Sequence, residues 1–298
     1  MNHIIHDIDR DGWGSAAMIL AQLGAENCRL YPTRDKEIFN LIRNVGTNAG
    51  DVIWVLDIPG PTSWMEFPSR NDVRTIWIDH HLNSWEQDAP KTVEVVLPKT
   101  KKATTTMSVL ASQRLVSFNG AMDFARSLCS RGNESEWGLV FDGLTTLAPH
   151  FPVPIIDLPK FLAGAPKGEP IPDKLKSIVV DTRSKNETVT RVLREAKWKI
   201  GNNLAVAYIA NAQKIPLGRY SLHAAALHPD KVRVLVHRSS LIYCGRNSQK
   251  IGIDLFQHFK SRGLEPKGHA YVCFVNATSN QVQAELDALR VALGEKIE

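Results

Sequence analysis

The chain lacks any apolar run of the roughly 18 residues that a membrane-spanning helix requires. Its opening residues also lack the basic stretch and apolar core of a secretion signal. A membrane partner is therefore not expected, and a cytoplasmic location is. Cysteine is scarce: Cys28, Cys129, Cys244 and Cys273 stand far apart and form no CxxC pair. That spacing argues against a disulfide framework and for reduced, mostly buried thiols. There is no internal repeat and no low-complexity tract, which sets solenoids and disordered arrays aside.

What is present is the composition of a globular protein, with 43% hydrophobic and 22% charged residues. A length of 298 residues is enough for two packed domains, each with its own core. A net charge of +5 leans towards a polyanionic partner, although many basic proteins bind none.

Over the first half, short apolar runs alternate with amphipathic stretches. Ile4-Ile5, residues 28–31, 52–56 and 73–78 read as strands, with helices over 14–23 and 36–45 between them. Strands and helices alternating at this spacing predict a parallel sheet covered on both faces. A more helical stretch follows over 104–148, broken near Asn119-Gly120 and Arg131-Gly132. From Pro149 to Pro172 the density of proline and glycine predicts a linker with at most a short helical turn. Beyond it, strands are expected over 204–209, 232–237, 241–244 and 270–275. Helices are expected over 187–200, 221–227, 253–260 and 282–293.

The acids fall at strand ends. The first strand runs into His6-Asp7-Ile8-Asp9-Arg10-Asp11-Gly12, the third ends at Asp57, and the fourth at Asp79-His80-His81. In a parallel sheet the C-terminal strand ends share one edge, where ligands bind. Singly, a DxDG is most often a turn and a lone Asp after a strand a helix cap. Together, unpaired acids on one rim would repel one another, so a cation is expected among them. Carboxylates with imidazole suit a hard or borderline divalent ion such as manganese. Two such ions can activate a water and steady the leaving oxygen of a phosphoryl displacement. Asp9 and Asp11 can face such a pair from one loop, with Asp57 placed to bridge it.

These residues, in this order, resemble the first three motifs of the DHH phosphoesterase family. That family includes the RecJ-type exonucleases, the nanoRNases, cyclic-dinucleotide phosphodiesterases and family II inorganic pyrophosphatases. The resemblance implies an α/β DHH catalytic domain over 1–148, the Pro-rich linker over 149–176, and a smaller mixed-sheet DHH-associated domain over 177–298. It implies two Mn2+ ions, with Mg2+ as the alternative, held by Asp9, Asp11, Asp57 and Asp79. Asp7 stands where many members carry His and resembles the RecJ branch, with His6 beside it as a substitute or a supporting group. His80 is similar to the family histidine nearest the metals and the scissile phosphate, supported by His81. A fourth acid is expected further on as a metal-binding residue, like Asp7; Asp142 fits best and Asp123 second. Lys102-Ala103-Thr104-Thr105-Thr106-Met107 resembles the family's Thr-rich helix start, which makes Thr105 a substrate-binding candidate.

In the second half, the stretch from Gly263 to Tyr271 resembles the family's glycine-rich segment around a histidine. That similarity assigns Gly268 and His269 to substrate phosphate, with Pro266 and Tyr271 as departures from the pattern. Cys244-Gly245-Arg246-Asn247 resembles the strand whose arginine contacts substrate, a task that suits a bidentate guanidinium.

The substrate expected is therefore a single-stranded RNA or DNA or a short oligonucleotide, cleaved by an exonuclease or oligoribonuclease. Lys160, Lys167, Lys174 and Lys176 could then line a phosphate-tracking groove, or simply form a solvated face. The alternative is a small-nucleotide phosphodiesterase or phosphatase acting on a cyclic or linear dinucleotide or a nucleotide 3′-phosphate, with pyrophosphate the least favoured substrate. A third reading, an inactive nucleic-acid-binding scaffold, is disfavoured by the retained acids. A homodimer is left open.

Overall fold

The computed structural model describes residues 1–33, 38–61, 63–81, 89–98, 105–129, 135–147, 157–209, 215, 217–237, 241–245, 252–269 and 272–295. Its contacts divide the chain into two units, Met1–Thr182 and Arg183–Glu298.

The first unit holds a five-stranded, all-parallel sheet. Its strands are β1 (Asn2–Asp7), β2 (Cys28–Thr33), β3 (Val52–Leu56), β4 (Arg74–Ile78) and β5 (Val93–Val96), in the order β2-β1-β3-β4-β5. Neighbouring side chains alternate between two cores. Ile4, Leu56 and Ile78 face one core; Ile5, Val55 and Trp77 face the other. Helices α1 (Arg10–Leu23), α3 (Thr106–Ser112), α4 (Ala121–Cys129), α5 (Glu136–Leu147) and α6 (Leu158–Gly164) cover the first face. Helix α2 (Ile38–Asn44) covers the second, with Trp64 and Phe67 beside it. The strand order reverses between β1 and β3, so the loops after β1, β3 and β4 open on the crevice where such sheets bind ligands.

Part of the proline-rich segment is ordered structure. Residues 157–176 include α6, a 3-10 turn at Ala165–Lys167 and the start of α7 (Asp173–Glu195). Leu158, Leu162, Ala165, Ile171 and Leu175 are buried in the first unit's core. Pro159 sits in the first turn of α6, where its missing N–H costs nothing, and α7 starts directly after Pro172. Helix α7 packs closely on α5: a Cβ at Gly143 would overlap Ile178 Cγ2. The division between the units falls inside α7.

The second unit carries a mixed six-stranded sheet, ordered β10-β11-β9-β8-β7-β6. Its strands are β6 (Trp198–Ile200), β7 (Leu204–Ile209), β8 (Val232–His237), β9 (Leu241–Gly245), β10 (Lys267–His269) and β11 (Val272–Asn276). Only β7 and β8 run parallel. Helices α9 (Leu255–Ser261) and α10 (Ser279–Ala292) pack on one face, and α8 (Leu217–Leu227) with Val189 and Leu193 of α7 on the other. The helix expected over 187–200 ends at Glu195, because Trp198–Ile200 pairs antiparallel with β7 as an edge strand. Cys244 and Cys273 lie opposite each other on β9 and β11 as buried free thiols. Among the described residues, no helix is long and apolar enough to cross a membrane.

Candidate metal centre

The loop after β1 is shaped by its acids and one glycine. The Asp9 carboxylate accepts the Gly12 amide at 2.8 Å and so caps α1, which starts at Arg10 rather than at the expected Gly14. A Cβ at Gly12 would overlap the Asp7 carbonyl oxygen, so only glycine lets the chain turn this tightly. Asp57, the residue after β3, adopts the left-handed region at φ 60°, which aspartate tolerates better than most residues. Its amide still donates to the Ile78 carbonyl at 3.0 Å, which holds the turn against the sheet.

The strand ends bring two groups of potential ligands together. One atom each from Asp57, Asp79, His80 and His81 lie within 4.8 Å of one another, as do atoms from Asp7, Asp9 and Asp57. Asp57 belongs to both groups. Asp57 and Asp79 are buried, at 2% and 0% exposure, whereas the two histidine side chains are part-exposed. His81 Nδ1 lies 2.6 Å from Asp79 Oδ1, and the His80 amide donates to the same oxygen at 2.8 Å. Asp79 Oδ2, by contrast, is buried with no hydrogen-bond partner among the described residues. A buried carboxylate oxygen left in that state is costly in protein alone and is suited to a cation.

Asp11 is held differently. Its two oxygens accept the backbone amides of Thr106 at 2.6 Å and Met107 at 3.0 Å, at the start of α3. It falls in neither ligand group among the described residues. Thr105, expected to bind substrate, is the cap of α3, its hydroxyl accepting the Ser108 amide at 3.1 Å. Its neighbour Thr106 reaches the centre instead. Fully buried, Thr106 donates its hydroxyl to Asp57 Oδ1 at 3.0 Å and stands 3.3 Å from His80 Nδ1. Sequence reasoning missed this residue, although the run of three threonines beside a helix start carried the signal.

Other expected residues belong to neither ligand group among the described residues. Asp142, on α5, is paired with Arg10 and is in neither ligand group among the described residues. Asp123 is 82% exposed and pairs with Arg126. His6 is buried against the edge of Trp13, its Nδ1 2.7 Å from the Asp7 carbonyl, and burial lowers its pKa to about 4. Gly268 and His269 fall on β10, which pairs with β11 in the second unit, while Arg246 lies outside the described residues. Lys160, Lys167, Lys174 and Lys176 are all exposed, and the last two pair with Asp157 and Asp173.

The electrostatics follow from crowding. Burial, then the charge on Asp9, raises the Asp11 pKa to about 7. Burial, then the charges on Asp11 and Asp9, raises Asp57 well above the ordinary carboxylate range. Burial opposes a charge on His81, but Asp79 and the other acids outweigh it and raise its pKa. Without a cation the centre therefore retains protons that a metal would displace.

No protein-family model matches this chain, and no curated protein matches it either. Solved structures do. The DHH domain of a member of a family of ribosomal proteins is similar over 99% of this chain and 87% of its own, with a TM-score of 0.68 and 13% identity. PggH, a pGpG-specific phosphodiesterase from Vibrio cholerae, is similar over 99% of both chains, with a TM-score of 0.63 and 13% identity. Manganese-bound RecJ from Thermus thermophilus is similar over 100% of this chain and 52% of its own, with a TM-score of 0.57 and 14% identity. The fold is that of the DHH-domain proteins.

Two outcomes are expected. Asp11 has a pKa of about 3.9 when unfolded and about 7 when folded. Its contribution to stability is thus full below about pH 4 and lost as the pH rises through about 7. The metal-free protein should melt at a lower temperature at pH 8 than at pH 5, and Mn2+ should raise the melting temperature more at pH 8. Equal Mn2+ shifts at both pH values would contradict this. Thr106→Val should weaken Mn2+ binding about tenfold by removing the hydroxyl that orients Asp57. Thr105→Val should instead cost about 1 kcal/mol of stability as a lost helix cap. Calorimetry and urea unfolding of the two variants check both, and an unaltered Mn2+ affinity in Thr106→Val would refute its role.

Proposed function

We propose that this chain is a divalent-metal-dependent phosphoesterase that hydrolyses phosphodiester bonds in short single-stranded oligonucleotides. The observation that carries the reading is the pair of ligand groups that share Asp57, with the orphaned Asp79 Oδ2 in one of them. The donor set of carboxylates and imidazole fits hard or borderline divalent ions, with Mn2+ favoured over Mg2+. Asp57, Asp79, His80 and His81 would hold one ion, and Asp7, Asp9 and Asp57 the other. Bound there, the ions would neutralise phosphate charge and lower the pKa of the attacking water.

The chain's own residues then have distinct tasks. Thr106 and the amides of α3 keep the carboxylates of Asp57 and Asp11 in place. Asp79 orients His81 through Nδ1, fixing its ring. His80, 23% exposed at the rim, can donate a hydrogen bond to a phosphate oxygen as negative charge develops there. Arg246, Gly268 and His269 would grip a second phosphate, with glycine admitting a close backbone approach. Manganese-bound RecJ and PggH, which share the fold, support this chemistry.

A second reading, hydrolysis of a dinucleotide, is favoured by the similarity to the pGpG-specific phosphodiesterase over 99% of both chains. The two differ in how rate depends on length. Mn2+-dependent hydrolysis of 5′-labelled RNA, from dinucleotides to about 20-mers, should continue along the longer strands by stepwise loss. Confinement to the dinucleotide would favour the second reading. Asp57→Asn and Asp79→Asn should each lower turnover by about a thousandfold or more, the scale of several kcal/mol of lost metal stabilisation. Near-wild-type turnover in either folded variant would refute the metal-centre assignment.

A further inference from the structure

Arg10, between Asp9 and Asp11, opens α1, and its side chain turns to the helices packed beside it. Its Nε donates to Asp142 Oδ1 at 2.7 Å, its Nη2 donates to Asp142 Oδ2, and its Nη1 donates to the Leu128 carbonyl at 3.2 Å. A guanidinium that grips both oxygens of one carboxylate holds position and angle together, which a single hydrogen bond cannot do. The contact joins the first residue of α1 to the middle of α5 and the last turn of α4. Both partners are mostly shielded, Arg10 at 28% exposure and Asp142 at 13%, so the pair is weakly screened.

The first turn of α1 is rigid around this anchor. The Asp9 carbonyl accepts the Trp13 amide at 3.0 Å, and the Asp9 carboxylate caps Gly12. Asp11, one residue after Arg10, is seated against α3. A rotation of Arg10 would therefore carry the acids on either side with it. The fork occupies one lone pair on each Asp142 oxygen, so an ion on the remaining lone pairs would sit next to the guanidinium. Like-charge repulsion opposes that arrangement.

We propose that Arg10 and Asp142 form a positioning pair that sets Asp9 and Asp11 for the metal centre, and that Asp142 serves the centre through Arg10 rather than as a ligand. The proposal rests on the phosphoesterase reading of that centre. It departs from the family pattern, in which the fourth acid is expected to bind metal.

The test is Mn2+ binding by calorimetry to the full chain, comparing wild type with Arg10→Met, Asp142→Asn, the double variant and Arg10→Lys. Both single variants should weaken binding to a similar extent, about 10- to 100-fold, with the number of ions unchanged. The double variant should bind no more weakly than the worse single variant, because both remove one interaction. Arg10→Lys, which keeps the charge but not the fork, should fall between wild type and Arg10→Met. Should Arg10→Met fail to fold by circular dichroism, Arg10→Lys carries the comparison with the same expected direction. Loss of one bound ion in Asp142→Asn, with Arg10→Met or Arg10→Lys binding as tightly as wild type or more so, would overturn the pair and make Asp142 a ligand. Wild-type affinity in all variants would overturn this inference alone. A wild-type protein that binds no Mn2+ would overturn the phosphoesterase reading, and the inference with it.

Discussion

Gathering carboxylates of like charge at one edge of a sheet opposes folding, and the fold of the first unit is organised around that opposition. Asp57 and Asp79 are almost fully buried, and Asp11 is pressed against a helix start. Two kinds of group offset the cost within the protein. Backbone amides and the Thr106 hydroxyl bond to the oxygens of Asp11 and Asp57, and raised pKa values let protons take the place of a cation. Among the described residues no hydrogen bond reaches the buried Asp79 Oδ2, which suits that oxygen to a cation. The positive φ of Asp57 adds backbone strain of about 1–3 kcal/mol at the same point. Strain and a buried carboxyl at one residue that joins both ligand groups are what a site built for binding would retain.

The parallel sheet explains why so much of this was legible in the sequence. Runs of two to six residues announced β1 to β4 but not β5, and the acids that follow β1, β3 and β4 had to share the C-terminal edge. The placing of Asp7, Asp9, Asp57, Asp79, His80 and His81 follows from that geometry alone. What depends on distant partners was not legible. Asp142 meets Arg10 across 132 positions of sequence, and no local pattern marks that contact. Thr105 and Thr106 are adjacent and chemically identical, so only the direction of the helix start decides which one caps and which one reaches Asp57. Proline density likewise suggested a linker. Yet Pro159 sits in the first turn of α6 and Pro166 in a 3-10 turn, and Leu158, Leu162 and Leu175 enter the core.

The second unit follows a different logic. Its sheet is mixed, and its two apolar faces are closed by helices of the same unit, so hydrophobic burial builds its framework. Short β10 and β11 pair at the sheet edge, and Gly268 and His269 fall on that edge. Residues at the border of a sheet can approach a ligand by backbone as well as by side chain, which suits recognition of an anionic group.

Asp57, common to both ligand groups, would let the cluster hold two ions under the proposed function. Electron paramagnetic resonance of the protein titrated with Mn2+ tests it most directly, because two ions bridged at about 3.5–4 Å couple their spins. Two Mn2+ per chain and a coupled spectrum that reverts to an isolated six-line signal in Asp57→Asn are expected. A single uncoupled ion at saturation in the wild-type protein would contradict it.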